Sequence, residues 1–419
     1  MSASDLHLIV LAGGDSTRIK TGGPKALLDI SGRPMLDWVL SVAAASATGK
    51  SVLVLGPTHR EQIESWLEKS AYADWEVVIQ PEPKGTGDAV RCALAALPEE
   101  GRVLILCGDT PLLQAETLAF LGEQENGALL SAEVVDPDGY GRILRDEEGN
   151  MCSIIEQVDC DTETAAIGEV NAGVYVVELS ALRAAIDGLE SDNAQGEFYL
   201  TEAVIQILGQ DGGAVVTVSG EDEIIGVNSL ADLARASMLM RERVLAAHME
   251  NGVIIDDPAS TFIEADVEIG PATRIFPFCV IRRGCRLGAH CLVGPFAHLR
   301  GGSVMHDRAE IGNFVEVKNT EMGEGAKSKH LTYLGDTDVG AGANIGCGTI
   351  TANYDGKLKH RTIIGAGAFI GSGTVLVAPV KVGDKATTGA GAVVLSNHDV
   401  APGEVVVGLP AAPIRTKHS

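Results

Sequence analysis

Aromatic side chains are scarce in this sequence: 3 Trp, 6 Tyr and 8 Phe make up 4% of 419 residues. Hydrophobic residues still reach 45%, so a sizeable core can form, but small aliphatic side chains must fill it. Basic residues are outnumbered too, 32 Lys and Arg against 57 Asp and Glu, for a formal charge of −25. Such a field repels nucleic acid and anionic membrane, and leaves room for a small anionic substrate held by a local cluster of cations. No apolar run approaches the ~18 residues of a membrane span. The amino terminus lacks the basic-then-apolar pattern of a signal peptide, which predicts a soluble, cytosolic protein. None of the eight cysteines forms a C-x-x-C pair, and in a chain of this length they read as reduced thiols.

Glycine, by contrast, is abundant: 50 of 419 residues, about 12% against a usual ~7%. With so few rings, that points to tightly turning, repeated backbone, and the length predicts two or three domains. Residues 1–228 alternate strands and amphipathic helices: His7–Leu11, Pro34–Ala45, Ser51–Leu55, His59–Glu68, Glu76–Ile79, Thr86–Leu97 and Arg102–Cys107. This pitch predicts a Rossmann-like α/β domain with a mostly parallel sheet and a crevice beyond the carboxyl ends of its strands. Asn228-Ser229 can cap a helix running to about Glu250, so residues 229–252 form a helical arm.

Over residues 253–407 the period changes to six: Ile263, Ile269, Ile275, Ile281, Leu287, Val293 and Leu299, then Met305, Ile311 and Val317. A mostly small residue follows each by four, as at Thr273, Cys279, Cys285 and Cys291. Hexapeptide repeats build a left-handed parallel β-helix, three hexads to a triangular coil. The three cysteines fall in the inward column, which favours core thiols over metal ligands. His290, His298 and His306 share no column and read as surface residues. The register breaks between Val317 and Val339 and between Ile345 and Ile364, so loops are expected to leave the coil in both stretches. These hold Lys327, Lys329, His330, Tyr333, Asn353, Tyr354, Lys357 and Lys359, and a tail, 408–419, closes the chain.

The loop Leu11-Ala12-Gly13-Gly14-Asp15-Ser16-Thr17-Arg18 leaves the first strand, and Lys25 follows it. Glycines let backbone N–H groups approach an anion while Arg18 and Lys25 add charge; the plain alternative is a tight turn with two solvated cations. Gln80 precedes Gly85-Thr86-Gly87, which opens a helix, and Asp109 ends a strand where a hard cation could sit. One carboxylate with Arg, Lys and amide donors suits phosphoryl or nucleotidyl transfer.

Further strings narrow this. They are Gly139-Tyr140-Gly141-Arg142, Glu156, Asn171-Ala172-Gly173, residues 193–199, Gly226-Val227-Asn228, and in the second half His330–Asp336 and Gly348–Gly356. With them nearly the whole chain resembles the bifunctional N-acetylglucosamine-1-phosphate uridyltransferase/glucosamine-1-phosphate acetyltransferase family. The resemblance implies that Ala12, Gly13, Gly14 and Gln80 hold the uridine of UTP, with Gly85 and Thr86 nearby. Arg18 and Lys25 would neutralise the triphosphate, Asp109 and Asn228 would hold Mg²⁺, and Gly141, Glu156 and Asn171 would grip the amino sugar. In the β-helix His330 would be the catalytic base, since N-acetylation needs the amine's proton removed. Arg300, Lys318, Tyr333, Asn344 and Lys359 would bind glucosamine 1-phosphate. Asn353 would orient the base through its carbonyl, Ser372 would steady the tetrahedral intermediate, and Tyr354 and Ala390 would lie along acetyl-CoA. The family also implies a homotrimer packed through the β-helix and a product used in cell-wall biogenesis.

Three features depart from that pattern. The repeat region starts late and is about two coils short, Ser16 replaces a loop glycine, and Gly408 stands where the family carries an arginine near the coenzyme phosphates. Two other readings stay open on the sequence. One is a single-activity sugar-1-phosphate nucleotidyltransferase whose β-helix serves assembly; the other is a non-catalytic scaffold of the translation-factor exchange type.

Overall fold

A computed structural model, describing residues 5–14 and 19–413, divides the chain into two compact units, Met1–Leu239 and Met240–Ser419. In the first, a sheet runs in the order Ala214–Val218, Ala128–Glu133, Glu169–Glu178, Arg102–Cys107, Leu6–Ala12, Ser51–Leu55, Glu76–Ile79. All neighbours along it are parallel except Glu169–Glu178, which runs antiparallel to both its partners. The strands read as continuous apolar runs because both faces are covered. Leu8, Val10, Leu53, Leu104 and Leu106 pack with Leu36, Val39 and Leu40 of the helix Met35–Ser46. Their alternates Ile9, Val52, Val54 and Ile105 pack with Val90, Ala93 and Leu94 of the helix Thr86–Leu94.

The helix Leu230–Glu250 starts as the sequence foretold. Ser229 Oγ accepts from the Asp232 N–H at 3.1 Å, and the Asp232 carboxylate accepts from the N–H groups of Ser229 and Asn228 at 2.7 and 2.9 Å. This reciprocal cap satisfies donors that the first helical turn leaves open, and fixes the backbone at Asn228.

The second unit is a left-handed parallel β-helix. Ile263 pairs with Ile281 and Ile281 with Leu299, eighteen residues on each time, so three hexads make one coil. Its corners demand left-handed backbone, taken by glycines such as Gly302, Gly348 and Gly373 and by Phe278, Phe296, Phe314 and Leu331. That need accounts for part of the glycine count. Cys279, Cys285 and Cys291 are fully buried, and burial pushes the first two thiols up to about 11. Among the described residues no cluster of three His, Cys, Asp or Glu could hold a metal. His290 and His306 are exposed, but His298 is half-buried with its Nε2 enclosed, contrary to expectation.

Only one of the two expected loops leaves the coil. Between Val317 and Val339 the coil shortens: Val317 pairs with Leu334 and Met322 with Val339, seventeen residues apart. Ser328, wholly buried, fills an inward place that aliphatic residues hold elsewhere and so hides the register in the sequence. Buried Thr351 does the same ahead of the real loop, residues 353–361, after which Thr362–Ile364 resumes the coil. Asp355 closes that loop on itself, accepting from the N–H groups of Lys357 and Leu358 at 2.8 and 2.7 Å. Those bonds and His360 bring its pKa down to about 2.

Candidate active sites

The first site lies where strands Leu6–Ala12 and Arg102–Cys107 end side by side. Gly108 N–H donates to Leu11 O at 2.8 Å, and a Cβ on Gly108 would stand 3.0 Å from that of Ala12. One cavity there is lined by Ala12, Gly13, Gly14, Lys25 and Asp109. Gln80 is buried beside it, its amide donating to Gly85 O at 3.1 Å and Asp88 Oδ2 at 3.0 Å. Gly85 turns at φ +100°, where a side chain would strike Phe198 O, and the helix opening at Thr86 follows. Arg18 and Ser16 lie outside the described residues.

Lys25 Nζ donates to Asp109 Oδ2 at 2.7 Å and to Asn228 Oδ1 at 3.2 Å. A positive charge therefore already sits between the two oxygens expected to hold Mg²⁺. Hard oxygen donors converging on one cationic position fit a Mg²⁺ ion whose remaining ligands come from substrate phosphates.

Beyond Asp109 and Asn228 a second cavity, about 230 Å³, is lined by Thr86, Gly141, Glu156, Asn171 and Thr201. Asn171 and Tyr175 flank a register shift in the strand Glu169–Glu178, with Gly173 at φ +71° between them. Here the Asn171 amide donates to Tyr175 Oη at 2.7 Å and its carbonyl accepts from Gly173 N–H at 3.1 Å. Thr201 Oγ1 donates to Glu156 Oε1 at 3.1 Å. Burial, with Asp159 and Glu197 nearby, raises the Glu156 pKa above the usual carboxylate range. Tyr175 and Thr201 are not marked by any motif in the sequence; they lie four and thirty residues past Asn171.

In the β-helix most of the expected residues gather at two corners. His330 stands on the corner with left-handed Leu331; Gly348 N–H bonds Leu331 O, Gly373 N–H bonds Cys347 O and Gly391 N–H bonds Ser372 O. That ladder stacks His330, Cys347, Ser372 and Ala390 on successive coils, with Ser372 about 10 Å from His330. His330 is exposed, and its Nδ1 lies 2.9 Å from Asn313 Oδ1 on the preceding coil.

The cations collect at the other end of the strand Lys327–Gly335. Arg300, Lys318 and Gly335 are in register on adjacent coils. Lys318 Nζ is 3.4 Å from Asp336 Oδ2, and Arg300 bonds Glu316 at 3.0 Å. The facing Lys318 ammonium, with Arg300 beyond it, lowers the pKa of Lys359. Against desolvation, Asn319, Asn353 and Lys318 hold the Asp336 carboxyl below its usual range. The Asn353 amide bonds Asp336 and its carbonyl accepts from His360 N–H at 2.8 Å, so within one chain Asn313, not Asn353, partners His330. Tyr333 lies between the corners, while Asn344 pairs with Lys327 on the preceding face. Exposed Tyr354 belongs to the loop. Gly408 turns at φ +91°, its carbonyl accepting from Val393 N–H at 3.0 Å.

A nucleotide-type cradle on a mostly parallel sheet and a polar-cornered hexapeptide coil define a two-headed transferase. Residues 8–144 match the MobA-like NTP transferase domain, and residues 266–301 and 361–396 match the bacterial transferase hexapeptide repeat. The chain is 43% identical to the bifunctional protein GlmU of Trichlorobacter lovleyi, over 95% of each chain. It is equally similar to that of Pelobacter propionicus, over 95% of each, and 40% identical to that of Mycolicibacterium gilvum, over 96% of this chain and 89% of the relative. The chain belongs to the GlmU family of bifunctional transferases. Among the described residues no helix is long and apolar enough to cross a membrane.

Proposed function

We propose that the second unit acetylates glucosamine 1-phosphate with acetyl-CoA, and that the first joins the product to UTP, giving UDP-N-acetylglucosamine and pyrophosphate. What carries this reading is the convergence of Lys25, Asp109 and Asn228 beside a glycine cradle. In the uridylyl site the backbone of residues 12–14 and Gln80 hold the uridine, with Gly85 and Thr86 nearby, and the glycine amides of the cradle extend toward the triphosphate. Arg18 and Lys25 neutralise phosphate charge, and Gly141, Glu156 and Asn171 grip the sugar. The 1-phosphate oxygen attacks the α-phosphorus in line, and pyrophosphate leaves without a covalent enzyme intermediate. Bound Mg²⁺, held by Asp109 and Asn228, supplies Lewis-acid stabilisation of the phosphoryl charge.

In the acetyl site Asn313 Oδ1 accepts from His330 Nδ1–H, which leaves Nε2 basic. The amine attacks the thioester carbonyl; His330 Nε2 takes its proton, the C–S bond breaks and the proton passes to the departing thiolate. Ser372 steadies the tetrahedral oxyanion, Arg300, Lys318 and Lys359 hold the phosphate, Tyr333 and Asn344 complete the acceptor pocket, and Tyr354 and Ala390 lie along the coenzyme. His330 and the cation cluster stand at opposite ends of one face, roughly 15 Å apart by strand rise, a span longer than one hexose phosphate. That separation supports a site completed by the cation corner of a second copy, in a homotrimer packed through the β-helix. The eight free thiols suit a cytosolic protein.

Two product assays on one preparation test the reading: pyrophosphate from UTP and N-acetylglucosamine 1-phosphate, and free thiol from acetyl-CoA and glucosamine 1-phosphate. Pyrophosphate without thiol would reduce the chain to a single-activity nucleotidyltransferase.

A further inference from the structure

Lys25 does more here than face a phosphate. Its ammonium lies 2.7 Å from Asp109 Oδ2 and 3.2 Å from Asn228 Oδ1, and the side chains of Lys25 and Asp109 are 18% and 26% exposed. A divalent ion bound to the same oxygens at the ~2.1 Å typical of Mg²⁺ would share the space with that ammonium. Two cations so close, partly shielded from water, repel strongly. Only one of them can hold the position.

Lys25 has somewhere else to go. The cavity that it lines with Asp109 is also lined by Gly13 and Gly14, so the amide cradle lies within the swing of its four-carbon stem. Gly22, at φ +77°, and Gly23 precede it in a turn, and it opens the short 3-10 turn Lys25–Leu27. We infer that Lys25 is a resident cation of the metal position in the nucleotide-free chain: it keeps Asp109 and Asn228 converged, bars a lone divalent ion, and moves onto the triphosphate when nucleotide arrives. The metal then enters with the nucleotide rather than before it. This rests on the uridylyl reading of the site and adds an order of binding to it.

The test is a Mn²⁺ titration of the whole chain without nucleotide, with free Mn²⁺ read by electron paramagnetic resonance. Lys25→Met keeps the length of the side chain and removes its charge; Lys25→Gln is the second variant should the first misfold. The variant is expected to bind one Mn²⁺ per chain at least about tenfold more tightly than the unaltered protein. Adding Asp109→Asn to it should abolish the gain. Equal Mn²⁺ affinity of variant and unaltered chains, or a gain that survives Asp109→Asn, overturns the inference. Pyrophosphate formation by the unaltered chain tests the uridylyl reading separately, so the two failures are distinguishable.

Discussion

Asn313 Oδ1 stands 2.9 Å from Nδ1 of His330, one coil away in direct strand register. A carbonyl oxygen can only accept, so the contact selects the His330 tautomer with its proton on Nδ1. Asn313→Ala should lower acetyl transfer by about one to two powers of ten, less than the ~10²–10⁴ of losing the base itself. Asn313→Asp, which still accepts, should recover much of that loss and move the acid limb of the rate profile upward. Nitrogen NMR of the His330 ring reads the tautomer directly, and uridylyl transfer should not change in either variant.

If the acetyl site is shared between copies, two dead variants should rescue each other. His330→Ala and Lys318→Ala are each expected to lose most acetyl transfer when made alone. Co-expressed, they should form assemblies in which some corners pair an intact His330 with an intact Lys318, and thiol release should reappear. Absence of rescue in mixed assemblies confirmed by mass spectrometry would place both corners' work in one chain.

Glu156 is held by Thr201 against a burial that raises its pKa. A sugar hydroxyl donates to the ionised form, so sugar binding should fail on acidification earlier than an ordinary carboxylate predicts. The KM for N-acetylglucosamine 1-phosphate should rise on the acid side; Thr201→Val, which removes a bond to the ionised form, should shift that rise to higher pH. Glu156→Gln should flatten it.

A Cβ at Gly335 would collide with the Tyr333 hydroxyl and come within 2.8 Å of Asn353 Nδ2. Gly335→Ala should therefore raise the KM for glucosamine 1-phosphate by about tenfold and cost about 1–3 kcal/mol of stability from overpacking. Thermal melting and acetyl-transfer kinetics check both.

The sequence carried the α/β alternation and the six-residue period because both follow from which side chains must point inward. Even the helix start at Asn228-Ser229 could be read, since it is local, though its partner Asp232 was not. What stayed hidden was whatever a polar residue disguised. Ser328 and Thr351 occupy inward places of the coil, so the coil shortened between Val317 and Val339 looked like a loop and the start of the real loop at 353–361 was masked. Asn313 and Thr201 belong to no motif, and their importance arises only from stacking seventeen residues away or from a hydrogen bond to Glu156, 45 residues away. The separation of His330 from Lys318 was likewise invisible, because distance around a prism cannot be read from a string that places them twelve residues apart.

One measurement reaches the centre of the account: conversion of glucosamine 1-phosphate, acetyl-CoA and UTP into UDP-N-acetylglucosamine by the purified chain alone, beside His330→Ala. The unaltered chain should form the nucleotide sugar from that mixture. The variant should form none, yet should make it at the normal rate when given N-acetylglucosamine 1-phosphate. A variant that still converts glucosamine 1-phosphate, or one that loses both reactions together, would contradict two separate sites with His330 as the base of one.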